Sequence, residues 1–207
     1  MIEKLASQLN RRDEEPNIEL AKELAQTKNI EGITEIVNGF KGKNKAIAND
    51  CIKVLYELGE INPNLIKDYA TDFIEMLSSK NNRIVWGSMT ALAIIADLVP
   101  DVIFKEIDKI EHVFKNGSVI AVDNSVTVLA KIASSNKKYE KVIFPLLINH
   151  IKTTRAKEIP QHAQRMLVCI NKENVNDFLE AIESRKNEMT ASQLSRIKKL
   201  EKSLNTL

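Results

Sequence analysis

Apolar residues recur along this chain at steps of three and four, the spacing of a helix with one buried face, and that face itself recurs every 37 residues. The pattern is densest from Asn81 to Pro100. Shifted by 37 in either direction, it places Ile52, Met89 and Val126 together, then Leu55, Leu92 and Leu129, then Leu58, Ile95 and Ile132. Small residues fill two further columns, Cys51, Ser88 and Ser125 in one and Gly59, Ala96 and Ala133 in the other. A preceding set is as regular: Ile33, Ala70, Ile107 and Phe144; Ile36, Phe73, Ile110 and Leu147; Phe40, Leu77, Phe114 and Ile151. A face repeated at this interval marks stacked helical units, none of which can bury its apolar side alone. The chain is therefore predicted to be all-α, an α-solenoid of about six stacked hairpins in a single domain over residues 1–207.

Each unit reads as a helix A, a turn and a helix B. The A helices are predicted over 30–41, 64–78, 101–115 and 138–152, the B helices over 45–61, 82–98, 118–135 and 156–170. Asn44, Asn81 and Ser118 share a column and are suited to cap the B helix that follows. Gly42 and Gly117 offer permissive backbone after an A helix. Pro63 and Pro100 coincide where the next A helix begins. In the last unit the spacing stretches to 38, and Pro160 is expected to delay or kink the B helix. Four regular repeats thus span 30–170. Residues 1–28 are read as an N-terminal capping hairpin, with a first helix over 2–11 carrying Leu5 and Leu9 and a second beginning at Pro16. Residues 173–207 are read as a C-terminal one, with Leu194, Ile197, Leu200 and Leu204 on one face.

Helix B has an apolar start (Ile47, Ile84, Ala121), a small residue (Cys51, Ser88, Ser125, Ala163) and Leu four residues later. In this the chain resembles the HEAT and armadillo group over residues 30–170. The resemblance implies a right-handed stack with the B helices on its concave side. A period of 37 is short for units of ~40–47 residues. Where HEAT units often carry Arg after the apolar start, this chain has Ala48, Val85 and Val122. The ionic ladder between repeats is therefore expected to be missing, and HEAT-like describes the chain better than HEAT.

Composition narrows the function without naming it. With 43% hydrophobic and 28% charged residues the chain can bury a core and is not disordered. Its net charge of +2 selects no partner, although residues 1–104 carry −4 and residues 105–207 carry +6. No apolar run is long enough to cross a membrane, and the N-terminal stretch has no signal-peptide core. Two distant cysteines, Cys51 and Cys169, form no disulfide framework and suit a reducing cytoplasm.

No phosphate-cradling glycine loop, nucleophile elbow or zinc-protease motif occurs. His112, His150 and His162 stand in different helices without ligand spacing. No metal, no cofactor and no enzymatic activity are expected. If positions 48, 52, 55 and 59 face the core, 49, 53 and 56 lie on the opposite stripe. The candidate groove so defined contains Asn49, Lys53, Tyr56, Trp86, Thr90, Asp123, Thr127, Gln161 and Arg165. Trp86, the only tryptophan, reads either as an exposed anchor or as filler of the seam between B helices. The basic residues between Lys131 and Arg165 read as a solvated rim or a phosphate-binding edge.

The function expected is that of a non-catalytic scaffold that binds a protein or peptide segment. The alternatives are a regulatory subunit of an enzyme or a nucleic-acid-binding protein of the HEAT-like DNA glycosylase type. For the last, Trp86 and Asp123 hold equivalent places on successive B helices, but the groove is not basic, since Glu60, Asp97 and Asp123 offset Lys53 and Arg165.

Overall fold

The columns read from the sequence are the core. Ile52, Met89, Val126, Leu55, Leu92, Leu129, Leu58, Ile95 and Ile132 are all fully buried, as are Ile36, Phe73, Ile110 and Leu147. The small column is sealed as well, from Cys51 through Ser88 and Ser125 to Ala163. Helices that close in on one another must bury such a column, and large side chains there would hold them apart.

The computed structural model describes residues 1–204; the last three residues of the predicted C-terminal hairpin lie outside the described residues. The described residues form helices joined by turns and short 3-10 segments, with no strand among them. The α-helices are α1 (Glu15–Thr27), α2 (Ile30–Phe40), α3 (Lys45–Ile61), α4 (Ala70–Glu75), α5 (Asn82–Ile95), α6 (Pro100–Lys105), α7 (Ile107–Asn116) and α8 (Val119–Ser135). They continue with α9 (Lys137–Thr153), α10 (Ile159–Met166), α11 (Val175–Glu183) and α12 (Ala191–Leu204). Contacts divide the chain into two compact units, Met1–Val128 and Leu129–Leu207, so the division falls within α8.

In the first unit α1, α3 and α5 pack side by side in chain order, while α2 lies against α3 and α4 against α5. The A helices predicted over 64–78 and 101–115 are not continuous. Short 3-10 turns at Pro63–Leu65 and Lys67–Tyr69 precede α4, and a break at Glu106 separates α6 from α7. Tyr69 and Glu106 stand 37 residues apart and share a non-helical backbone, with φ/ψ of −96°/14° and −112°/27°. Units of three helices are the armadillo form of this architecture. Periodicity cannot detect such a break, because Ile66, Ala70 and Phe73 stay on one buried face across it.

The first predicted helix is also different. Residues 2–11 form only a 3-10 turn, Ile2–Lys4, followed by turns that end at Asn10 with φ 55°. Two backbone donors that a helix would need go elsewhere. The Ala6 N–H donates to Asn17 Oδ1 at 2.9 Å and the Ser7 N–H to Asp50 Oδ2 at 2.8 Å. A segment this short has little helical stability to oppose them.

Asn44 and Asn81 cap their helices: Asn44 Oδ1 accepts from Ala46 and Ile47, and Asn81 Oδ1 from Arg83. Ser118 does not, since its shorter side chain is turned into the packing and Oγ has no partner there. Gly117 is not in a left-handed conformation, with φ −74° and ψ 172°. Its use is room, because a Cβ there would lie 2.5 Å from the Val113 carbonyl oxygen.

In the second unit α9 packs against α10 and α11, and α10 against α12. Asn136 caps α9 through Lys138 and Tyr139. The helix continues through Pro145, which has no N–H to give to the carbonyl of Lys141. Near its C-terminus the Arg185 guanidinium donates to the Ile151 and Thr154 carbonyls at 3.0 and 2.9 Å, groups that a helix end leaves without partners. As the sequence suggested, Pro160 goes with a late start, and α10 opens at Ile159.

Candidate protein-binding face

The predicted groove residues of the first unit come from α3, α5 and the start of α8. On α3 the neighbouring α1 covers much of the stripe. Lys53 is only 8% exposed and Tyr56 9%, while Asn49 is half-buried. On α5, Trp86 and Thr90 are half-buried, and Asp123 and Thr127 are half-buried on α8. In the second unit Gln161 and Arg165 lie one turn apart on α10, both half-buried. The outward face of the first unit is therefore carried by α5 and α8 more than by α3.

What the sequence did not show is a residue from outside the stripe, Glu14, at the N-cap of α1. Its carboxylate pairs with the Arg83 guanidinium and with Lys53 Nζ at 3.3 Å. Lys53 also binds Glu57 at 2.6 Å and lies 4.9 Å from the centre of the Tyr56 ring. Arg83 in turn lies 5.8 Å from the centre of the Trp86 ring, and the Tyr56 and Trp86 rings are tilted against each other at 5.9 Å. Three helices thus contribute to one charged and aromatic cluster. The signal in the sequence was faint, an acid just before Pro16 and two cations on successive B helices.

The cluster's electrostatics follow from this geometry. Burial pushes the Glu14 carboxyl up, but Arg83 and Lys53 outweigh it and hold it below its ordinary range. Burial works against the charge on Lys53, yet Glu57 and Tyr56 raise its pKa above the usual lysine value. Both cations near the aromatic pair are already matched by carboxylates, which leaves little attraction for a phosphate backbone.

Neighbouring B helices in this unit are also tied by neutral groups. Asn81 Nδ2 donates to Asn49 Oδ1 at 2.7 Å, and Asn124 Nδ2 donates to Thr90 Oγ1 at 2.7 Å. Thr90 then donates to the Trp86 carbonyl at 2.9 Å. An amide and hydroxyl ladder stands where the ionic ladder was expected to be missing.

Among the described residues of this cluster none pairs as a nucleophile with its base. The Cys51 and Cys169 thiols are unpaired with each other and buried, and burial pushes both up to about 12. In the second unit His150 Nε2 and His162 Nδ1 are 2.9 Å apart, a contact across two helices that spacing along the chain could not reveal. The basic residues of that unit are interleaved with acids: Lys137 pairs with Glu140 and Glu173, and Arg155 and Lys157 with Glu158.

No curated protein matches the chain significantly. Solved structures do. An engineered protein is 17% identical with a TM-score of 0.62, covering 99% of this chain and 96% of its own. A designed armadillo repeat protein in complex with the peptide (KR)4 is 14% identical with a TM-score of 0.65, covering 95% and 96%. Kap121p bound to Ste12p is 15% identical with a TM-score of 0.62, covering 89% of this chain but only 21% of that one. These likenesses establish the fold, a HEAT/armadillo-type helical repeat. The family model described as sister chromatid cohesion protein PDS5 matches residues 20–205, nearly the whole chain, and the protein belongs to that family.

Proposed function

We propose that this protein is a non-catalytic scaffold that holds a segment of a partner protein on the B-helix face of its first unit, with Trp86 as the anchor. One observation carries the reading. Trp86 is half-buried, braced by Tyr56 on one helix and Arg83 on its own, and bordered by the polar Thr90. A large aromatic held in place before a partner arrives loses little entropy on binding, which is the character of an interface anchor. Membership of the PDS5 family and the fold shared with a peptide-bound armadillo protein and with Kap121p bound to Ste12p support a protein partner. The matched charges of Lys53 and Arg83 favour it over a nucleic acid. The reducing compartment expected from the two separate thiols is part of the same proposal.

Co-purification of the full chain from nuclease-treated lysate tests it. Trp86→Ala should lower recovery of the partner at least ~10-fold, the effect of an anchor worth over 1 kcal/mol. Trp86→Phe, which keeps a ring against Tyr56 and Arg83, should restore most of it. Undiminished capture by Trp86→Ala would refute the anchor, and capture abolished by nuclease would transfer the reading to nucleic acid.

A further inference from the structure

The second unit has a surface feature that the proposed scaffold face does not use. Between α9 and α11 runs a groove of about 360 Å³, with Phe144, Pro145 and Ile148 as its apolar floor. Lys152 stands on the α9 wall, and Asp177 and Glu180 stand on the α11 wall. Val142, one turn before Pro145 on α9, is 46% exposed. Asp177 and Glu180 are three residues apart on one helix, hence on one face, and both are exposed. Other acids of this unit are held by basic neighbours, as Glu140, Glu158 and Glu173 are. Asp177, Glu180 and Lys152 are in no such pair among the described residues.

We propose that this groove is a second docking site, and that its occupant is an amphipathic helix of a partner protein with an apolar ridge and a basic flank. The ridge would cover Phe144, Pro145 and Ile148, a floor of the kind helical segments fill in grooves between helices. The basic flank would meet Asp177 and Glu180, and an acidic residue on the other flank would meet Lys152. Because the two walls differ in charge, the occupant enters in one direction only. Complementarity of this kind selects and orients a partner more than it adds affinity.

This groove is tested independently of Trp86. The probe is a synthetic helix of roughly 15 residues, long enough to hold a helical ridge, with leucines along one face, arginines on one flank and glutamates on the other. It is titrated into the isotopically labelled full chain and followed by amide and methyl shifts. Shifts should gather on α9 and α11, and the double variant Asp177→Lys, Glu180→Lys should weaken binding about tenfold or more. A companion peptide with glutamates on both flanks should bind the double variant better than the original chain. These positions are exposed, so the variant should keep the fold, and an unchanged circular dichroism melt verifies that. Equal binding by both chains overturns the site, as does an absence of binding at millimolar peptide. Shifts that gather around Trp86 instead also overturn it, while leaving the scaffold proposal standing on its own test.

Discussion

Ser88 and Ser125 occupy the same column on successive B helices, and both are fully buried. Ser125 gives its hydroxyl proton to the Ala121 carbonyl at 2.8 Å, whereas Ser88 Oγ has no partner. A buried hydroxyl without a partner costs about 1–3 kcal/mol relative to water, and a bonded one contributes about 1 kcal/mol. The two alanine substitutions should therefore part company. In a urea melt, Ser125→Ala is expected to destabilise by ~1 kcal/mol, and Ser88→Ala to be neutral or stabilising. The column itself was plain from the sequence, because smallness repeats at 37. Which hydroxyl finds an acceptor was not, since that depends on a side-chain rotation that leaves no trace in residue type. The same holds for Trp86: its place on the stripe was legible, but its bracing by Arg83 and Tyr56 needed the distance between helices.

At the scale of the element, the helix starts were legible throughout this column, but the caps only where an asparagine marks them. Asn44 and Asn81 cap, and Ser118 in the same column does not. Ser118→Asn should supply the missing acceptor and raise stability by ~1 kcal/mol, within the usual range for a helix cap. A melt showing no gain would mean that the backbone at 118 cannot present an asparagine as 44 and 81 do. In the last turn of α5, Leu92 is fully buried. Leu92→Ala should leave a cavity and cost ~2–5 kcal/mol in the same measurement. Element ends were harder to read than element faces. The breaks at Tyr69 and Glu106 keep the apolar phase, and the segment before Asn10 has a helical pattern but loses its backbone donors to Asn17 and Asp50.

Across the molecule, charge that looks scattered in the sequence is gathered into networks within each unit. In the first, Glu14 joins Lys53 and Arg83. In the second, Glu140 accepts from Asn171, Asn174 and Lys137, and these partners outweigh burial and hold its carboxyl below the ordinary range. A carboxyl lowered in the folded state adds stability above its ordinary value of 4.5 and loses it as pH falls through the lower folded value. Lys53, raised above its ordinary 10.5, adds stability below that value and loses it at higher pH. The contribution of these three groups should thus be level between these limits and fall on either side. For Glu14→Gln the difference from the original chain should be present at neutral pH and vanish once pH has fallen from 4.5 to below the lowered folded value. A difference that persisted there would show that the side chain acts by packing.

The ladder of Asn49 with Asn81 and Thr90 with Asn124 behaves differently from these networks, because none of its four groups carries a charge. Added salt shortens the range of an ion pair such as Glu14 with Arg83, but has little hold on a neutral amide bond. Proton uptake leaves the ladder untouched as well. The spacing between successive B helices is therefore set by something that ionic conditions do not tune, while the covering contact from α1 can loosen. A partner arriving with its own strong charges could compete for Glu14 and Arg83 without prising the repeats apart.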